Sequence, residues 1–308
     1  MEWGIAINLR EPVDEIVEKA VLADKGGIDT IWITDYPATR VSPLLAAVVA
    51  QKTEECRIGV GLLSPLIYST SQILQYITSL IDHYGDRFDL LLGPGDRIKL
   101  ETIGVSYSSA PNLVQNMMIV ANEIKKGLPK DCDCRIFLGA QGPKMVSASS
   151  QSDGVLLNYA DLQMINWAKS LITNVVKGFK IGIFVPALIG SSKLCKDHLG
   201  LRTSAAVVAL GLSRSVMKVF ELQKPLMSSC ALLKRRKYID EDVVNLIEQS
   251  ILDRFCICGG KEVLKKYITN LIGLAIDVIV FGPPQGASLK GVRELINAKI
   301  YCEQRTTH

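Results

Sequence analysis

The sequence predicts an α/β protein with a (β/α)8 barrel, in which one closed parallel sheet is surrounded by helices. Short apolar runs rich in β-branched residues alternate with amphipathic helical stretches along most of the 308 residues. The runs are continuously apolar, which is typical of parallel strands covered on both faces. Eight such runs with helical crossovers in this length indicate a barrel. A doubly wound open sheet is the main alternative, because periodicity does not show closure.

The eight predicted strands follow one another at intervals that leave room for a crossover helix. In chain order they are Trp3–Asn8, Thr30–Thr34, Arg57–Leu63, Phe88–Leu92, Arg135–Leu138, Gly154–Leu157, Phe179–Leu188 and Asp277–Phe281. The clearest helical patterns are Val13–Lys25, Ser69–His83, Leu113–Lys126, Leu162–Val176 and Gly291–Cys302. From Ser191 to Leu274 helical patterning continues without a further strand, which predicts an all-helical insertion before the last strand. Because no linker interrupts the chain, we expect residues 1–308 to form one domain.

Composition argues against two classes of partner. The net charge of +4 is small and scattered, so we expect no nucleic-acid binding. No apolar run approaches the roughly 20 residues that a membrane-spanning helix needs, so we expect no membrane partner. No signal peptide precedes Trp3, which predicts a cytoplasmic protein.

The cysteines and histidines give no pattern typical of a metal centre. Cys132 with Cys134, and Cys256 with Cys258, form C-x-C pairs without a histidine close in sequence, unlike the C-x-x-C pairs of zinc and redox sites. Free buried thiols are therefore expected. With only three histidines among 308 residues, a multi-histidine metal site is not predicted.

In a barrel, the functional groups lie in the loops after the carboxyl ends of the strands. The most informative of these loops is Gly-Ala-Gln-Gly-Pro-Lys-Met at 139–145, which follows an apolar strand. Pro143 suits the first position of a helix, and Gly139 and Gly142 allow a ligand to approach the backbone. Free N–H groups at a helix start attract anions, and Lys144 adds a cation there. A plain turn is the alternative to the predicted phosphate site, whose residues are Gly139, Ala140, Gln141, Gly142 and Lys144.

Two carboxylates also fall at strand ends. Asp35 follows the second predicted strand and Asp96 follows the fourth. Each could cap the next helix, which is the usual role of aspartate before a helix. Because Gly-Pro-Gly precedes Asp96, the backbone there comes close to the barrel mouth. A functional role is favoured for Asp96, whereas both interpretations stay open for Asp35.

Six motifs, taken in the order in which they occur along the chain, resemble those of the methylenetetrahydromethanopterin reductases. These enzymes belong to the bacterial-luciferase-like superfamily of flavin and deazaflavin enzymes. The resemblance runs from about Gly4 to Gly286. The motifs that carry it are Trp-Ile-Thr-Asp at 32–35, Arg-Ile-Gly-Val-Gly at 57–61, Leu-Leu-Gly-Pro-Gly-Asp at 91–96, Gly-Ala-Gln-Gly-Pro-Lys-Met at 139–145, Asp-Gly-Val-Leu-Leu-Asn at 153–158 and Val-Phe-Gly-Pro-Pro-Gln-Gly at 280–286.

The resemblance implies a luciferase-like barrel that binds the deazaflavin coenzyme F420, with its phosphate-bearing tail at Gly139–Lys144. It also implies a non-proline cis peptide at Gly61–Leu62 behind the coenzyme ring, with Asp35 in the same pocket. The implied reaction moves a hydride between the reduced deazaflavin and the methylene carbon of a tetrahydropterin, with Asp96 as proton donor or electrostatic partner. Self-association to a dimer or tetramer is expected as well.

The chain departs from the family pattern in several places, and two of these remove ionisable groups near the predicted site. Family members generally have Gly-Ile-Glu in the first strand and Asp-His after the second, whereas this chain has Ala6 and Tyr36 at those positions. The motif Gly139–Lys144, which would hold the coenzyme tail, is thus retained better than the residues that would face the substrate. Two alternatives therefore stay open: an FMN-dependent, luciferase-like monooxygenase, and a cofactor-binding homologue with weak catalysis.

Overall fold

The computed structural model describes residues 1–8, 10–36, 40–105, 110–190, 195 and 197–304. Within these ranges it contains nine strands, most of them continuously buried as their apolar composition predicts. The strands are β1 (Glu2–Ile7), β2 (Thr30–Ile33), β3 (Arg57–Leu63), β4 (Phe88–Leu92), β5 (Arg135–Ala140), β6 (Gly154–Leu157), β7 (Lys180–Ile189), β8 (Ile257–Gly259) and β9 (Val278–Gly282).

The helices lie between the strands and bury their apolar faces against them. They are α1 (Val13–Lys25), α2 (Ser42–Ala50), α3 (Thr70–Tyr84), α4 (Arg97–Thr102), α5 (Ala110–Gly127), α6 (Pro143–Ala148), α7 (Leu162–Ser170), α8 (Leu199–Leu210), α9 (Arg214–Val219), α10 (Met227–Arg236), α11 (Glu241–Asn245), α12 (Gln249–Leu252), α13 (Lys261–Gly273) and α14 (Leu289–Glu303). In the described ranges, no helix combines the length and apolarity needed to cross a membrane.

Eight of the nine strands form a closed parallel ring. The hydrogen-bonded order is β6-β5-β4-β3-β2-β1-β9-β7, and an additional β6–β7 pairing joins the two ends. All the barrel pairs are parallel. The predicted (β/α)8 barrel is therefore confirmed, and the open-sheet alternative is wrong. Closure pairs both edges of every strand in this eight-stranded ring, so the ring itself has no open edge.

Arginines and carboxylates close the amino-terminal end of the barrel. Asp89 of β4 is fully buried and accepts hydrogen bonds from Arg57 of β3 and Arg135 of β5, at 2.8 and 2.6 Å for the closest pairs. Arg135 also contacts Glu2 of β1 at 2.8 Å. One carboxylate thus neutralises two guanidinium groups and links three neighbouring strands. A buried charge is tolerated only when it is paired and hydrogen-bonded in this way.

The region from residue 191 to 274 differs from the predicted all-helical insertion. It contains β8, whose Ile257–Gly259 pairs with Ala187–Ile189, the part of β7 that extends beyond the barrel ring. Three residues are too few to produce a periodic pattern, which is why the sequence did not indicate this strand.

The expectation of free thiols is wrong for one of the four cysteines in the C-x-C pairs. Cys258 of β8 forms a disulfide with Cys195, and their Cα atoms are 5.7 Å apart. The chain returns alongside β7 at β8, which brings the two residues within the usual Cα separation of a disulfide. Cys132, Cys134 and Cys256 are free, as predicted.

Replacement of Asp89 by asparagine tests the charge network at the barrel's amino-terminal end. We expect Asp89→Asn to lower the free energy of unfolding by about 3 kcal/mol or more, because two part-buried guanidinium groups lose their shared counter-charge. Urea denaturation followed by circular dichroism measures this loss. Asp133→Asn is the matched control, since Asp133 also pairs with Arg57 but its side chain is 71% exposed; it should cost under about 1 kcal/mol. Equal losses in both variants would contradict the assigned role of Asp89.

Candidate active site at the barrel mouth

The loops at the carboxyl ends of the strands are partly bridged by α8. At the start of this helix, a Cβ atom built on Gly200 would lie 3.9 Å from Pro284, which follows β9. At its other end, the Gln141 side-chain amide donates a 3.3 Å hydrogen bond to the Val208 carbonyl. Because Gln141 follows β5, α8 runs across one side of the mouth between these two loops. The insertion therefore contributes a wall to the site.

A bulge in β3 shapes the floor of the mouth. The β3–β4 register shifts between Gly61 and Leu63, and the Gly61–Leu62 peptide is cis, as the resemblance implied. Gly61 has φ 133°, and a Cβ atom there would lie 2.3 Å from the Leu91 carbonyl oxygen. Both the dihedral angle and the close approach require glycine. The Asp35 N–H donates to the Gly61 carbonyl at 3.3 Å, which connects the bulge to the loop after β2.

The bulge directs the Leu62 side chain towards the carboxyl ends of the next two strands in the ring, β4 and β5. A Cβ atom built on Gly93 would lie 2.4 Å from Leu62 Cδ1, and one on Gly139 would lie 2.9 Å from the same atom. The absence of a side chain at Gly139 therefore makes room for Leu62 and not, as predicted, for a ligand at that face. Ala140 is 5% exposed and packs in the core. Gly139 thus lies at the floor of the mouth, whereas the Ala140 side chain packs in the main hydrophobic core.

The second half of the predicted phosphate site is more open. Gly142 begins α6 with ordinary dihedral angles and no side-chain cap, and a Cβ atom built there would have Ser213 Oγ as its nearest neighbour at 3.7 Å. The Gln141 carbonyl is held by a hydrogen bond from the buried Tyr159 hydroxyl. Lys144 is exposed and lines a cavity of about 650 Å³ with Pro143, Ser147, Ala148, Ser150, Gln151, Thr173 and Asn174. The absence of a side chain at Gly142 therefore leaves room for about one methyl group beside Ser213, and Lys144 faces a separate cavity that neither Gly142 nor Ser213 lines.

Asp35 acts as a hydrogen-bond acceptor at the start of α2. Its carboxylate accepts the Ser42 N–H at 3.0 Å and the Tyr68 hydroxyl at 3.1 Å. Burial raises the pKa of Asp35, and the hydrogen bonds from Ser42 and Tyr68 partly offset this effect. Of the two interpretations left open by the sequence, the structure therefore gives Asp35 a capping role, next to the bulge at Gly61.

Asp96 caps α4 and lies within a cluster of charged and aromatic side chains. Its carboxylate accepts the Lys99 N–H at 3.3 Å, and the Lys99 ammonium lies 4.0 Å from the centre of the Tyr36 ring. The Arg10 guanidinium lies 5.9 Å from the same centre. Burial and the nearby charge of Asp96 raise the pKa of Tyr36, whereas Arg10 lowers it. Burial lowers the pKa of Lys99.

The sequence interpretation did not include Arg10 or Lys99 in the site. The sequence does contain one indication of them, because both are cationic residues in segments that follow predicted strands. Their convergence on Tyr36 depends on the side-chain geometry of three separate segments, which sequence spacing does not give.

Comparisons with known proteins support this architecture. Residues 2–114 match the family model described as luciferase-like monooxygenase. The chain is 26% identical to the 5,10-methylenetetrahydromethanopterin reductase of Methanolobus tindarius, over 97% of this chain and 99% of that protein. It superimposes with a TM-score of 0.80 on the coenzyme F420-dependent tetrahydromethanopterin reductase of Methanopyrus kandleri, at 16% identity, covering 96% of this chain and 97% of that chain.

A second solved structure, an F420-dependent secondary alcohol dehydrogenase with an F420–acetone adduct, has a TM-score of 0.72 at 14% identity, covering 96% of this chain and 97% of that chain. By its fold, the protein is a (β/α)8 barrel similar to those of the luciferase-like proteins. Within that class, its sequence is similar over almost its whole length to the 5,10-methylenetetrahydromethanopterin reductases. The resemblance stated from the motifs is thereby confirmed.

The raised pKa of Asp35 predicts a specific pH dependence of stability. A carboxyl with a higher pKa in the folded chain binds more protons when folded, so the free energy of unfolding falls as pH rises from about 4 through that pKa. Asp35→Asn removes this titration. The free energy of unfolding of Asp35→Asn, minus that of the unsubstituted protein, should therefore increase as pH rises from about 4. Urea denaturation at a series of pH values measures both free energies. The exposed Asp14→Asn variant controls for loss of a charge; parallel pH curves for Asp35→Asn and the unsubstituted protein would contradict the prediction.

Proposed function

We propose that this protein is a coenzyme F420-dependent reductase that transfers a hydride between reduced deazaflavin and the methylene carbon of a tetrahydropterin. The observation that carries the proposal is the similarity over 97% of the chain to a 5,10-methylenetetrahydromethanopterin reductase. The β3 bulge at Gly61–Leu63 lies where the resemblance locates the support of the coenzyme ring, which agrees with the proposal.

The residues at the mouth fit a tricyclic coenzyme with an anionic tail. Leu62 lies across Gly93 and Gly139 and would form an apolar backing for a flat ring. The main chain at Gln141 and Gly142, where no side chain stands between Gly142 and Ser213, would receive the tail. Tyr159 holds this segment in place through the Gln141 carbonyl. When bound, the reduced deazaflavin supplies the hydride.

The protein's own contribution is orientation, exclusion of water and control of a proton. The wall formed by α8 and the apolar floor at Leu62 limit the access of water to the mouth. Asp96 is the carboxylate that would hold a proton for the substrate, because it follows β4 at the barrel mouth and its charge acts on Tyr36 and Lys99. Ala6 provides no carboxylate in β1, which increases the dependence on Asp96.

The second candidate function is an FMN-dependent monooxygenase. The match of residues 2–114 to a model described as luciferase-like monooxygenase is the observation that favours it. Aerobic oxidation of the reduced, cofactor-loaded protein separates the two functions, because reduced deazaflavin resists oxygen. Rapid reoxidation with release of hydrogen peroxide supports FMN, whereas slow reoxidation supports F420. Tight deazaflavin binding without turnover on any pterin would instead support a cofactor-binding homologue with weak catalysis.

Substitution of Gly142 tests the location of the coenzyme tail. We expect Gly142→Val to weaken deazaflavin binding at least tenfold, about 1.4 kcal/mol, because the valine side chain would fill the gap facing Ser213. Fluorescence titration with oxidised F420 measures the dissociation constant. Gly260→Val is the matched control, since Gly260 also begins a helix with ordinary dihedral angles and open space around it. Unchanged binding by Gly142→Val would place the tail elsewhere.

Asp96→Asn tests the assignment of the proton-holding group. Asparagine caps helices as well as aspartate does, so α4 should be retained, whereas the exchangeable carboxyl proton is lost. We expect kcat for methylenetetrahydropterin reduction to fall by about 100-fold or more, the usual contribution of general acid–base catalysis, with deazaflavin affinity unchanged. Steady-state absorbance assays measure kcat, and fluorescence titration with oxidised F420 measures the deazaflavin affinity. A variant with normal kcat would leave Asp96 with its capping role alone.

A further inference from the structure

One disulfide joins the two ends of the insertion that follows β7. Cys195 lies before α8, and Cys258 lies in β8, after α12. The bond therefore closes a loop with a sequence separation of 63, and this loop contains the five helices from α8 to α12. A cross-link across so long a loop restricts the chain strongly, because the entropy lost on closing a loop increases with its length.

The end of the insertion is also held by contacts that do not depend on the disulfide. β8 pairs with the extended end of β7, and the Gly190 N–H donates a hydrogen bond to the Gly259 carbonyl at 3.1 Å. The Arg254 guanidinium contacts Asp161, which follows β6, at 2.6 Å. These bonds keep Cys258 in place in either redox state of its sulfur.

The start of the insertion connects the disulfide to the barrel mouth. At the start of α8 the His198 ring accepts the Leu201 N–H at 3.2 Å. Near the other end of this helix, the Val208 carbonyl accepts a hydrogen bond from the Gln141 side chain at 3.3 Å. Ser213, which caps α9, lies beside the main chain that follows Gln141. The helix that begins next to the disulfide therefore contacts the segment proposed to hold the coenzyme tail.

The disulfide is accessible to a reductant. Cys195 and Cys258 are both half-buried, whereas the neighbouring free thiol of Cys256 is buried. Partly exposed disulfides exchange with external thiols more readily than enclosed ones. In that exchange a dithiol gives up two electrons and two protons and becomes a cyclic disulfide, while Cys195 and Cys258 become thiols. The covalent restraint on the start of α8 is then lost, and β8 stays paired with β7.

We propose that the Cys195–Cys258 disulfide is a redox switch that sets the order of α8 and, through α8, the affinity of the barrel mouth for its coenzyme. The oxidised form holds α8 against the loop after β5, and the reduced form lets this helix fluctuate more widely. The effect on the coenzyme rests on the proposed function, whereas the effect on α8 does not. A dithiol that reduces protein disulfides is the partner that the switch requires.

Two measurements on the oxidised and the reduced protein test the proposal. Thiol titration after unfolding should first give six free thiols in the oxidised protein and eight after reduction. Dithiothreitol serves as the reductant and is removed by anaerobic gel filtration. Hydrogen–deuterium exchange should then be about tenfold faster in α8 of the reduced protein and unchanged in β1 and β2. The dissociation constant for oxidised F420, from fluorescence titration, should be roughly five to ten times larger after reduction.

Serine variants separate the disulfide from other effects of reduction. Cys195→Ser and Cys258→Ser should each behave like the reduced protein and should no longer respond to dithiothreitol. Cys132→Ser is the matched control, since Cys132 is also half-buried but is free, and it should retain the full response. Thermal denaturation reports the folding of each variant. If a variant does not fold, reduction of the unsubstituted protein gives the same test.

Equal exchange rates in α8 of the oxidised and the reduced protein, or eight free thiols in the oxidised protein, would overturn the proposal. Faster exchange in α8 with an unchanged dissociation constant for F420 would also overturn it, because the helix would then not act on the mouth. Failure of the proposed function gives a different result: neither form binds F420, and the exchange rates still decide whether the disulfide controls α8.

Discussion

The close approach of the Gly61 backbone to the Leu91 carbonyl is the constraint on which the barrel mouth depends. A Cβ atom at residue 61 would lie 2.3 Å from that oxygen, so only glycine permits β3 to bulge there. The bulge directs Leu62 across the ends of β4 and β5, where Gly93 and Gly139 leave space for it. One apolar side chain thereby sets the floor of the mouth along three strands. The loop after β2 is positioned relative to that floor, because the Asp35 N–H donates a hydrogen bond to the Gly61 carbonyl.

The barrel strands could be predicted because parallel strands buried on both faces give continuous apolar runs. Arg57–Leu63, Phe88–Leu92 and Gly154–Leu157 begin and end as predicted. The strand Ile257–Gly259 could not be predicted, since its three residues are defined by pairing with the extended end of β7 and not by any local pattern. The Cys195–Cys258 disulfide has the same origin, because the two residues meet only after the chain has returned alongside β7.

The candidate site was less predictable than the fold, for reasons visible at individual residues. Aspartate after a strand suits both capping and chemistry, and the hydrogen bonds of Asp35 to Ser42 and Tyr68 were needed to choose between them. Sequence shows that Gly139 has no side chain, but not that Leu62 fills the space. Spacing likewise does not reveal that Lys99 meets the Tyr36 ring. Local patterns define elements, whereas contacts between loops define the site.

The departures from the family pattern remove two ionisable groups from the mouth. Alanine at residue 6 removes a carboxylate from β1, and tyrosine at residue 36 places a neutral ring where a titratable imidazole is usual. The negative charge of Asp96 is then exceeded by the nearby cations Arg10 and Lys99, both of which affect the same ring. Under the proposed function, these two substitutions lie on the substrate side of the mouth, whereas Leu62 and Gly142 lie on the side proposed for the coenzyme.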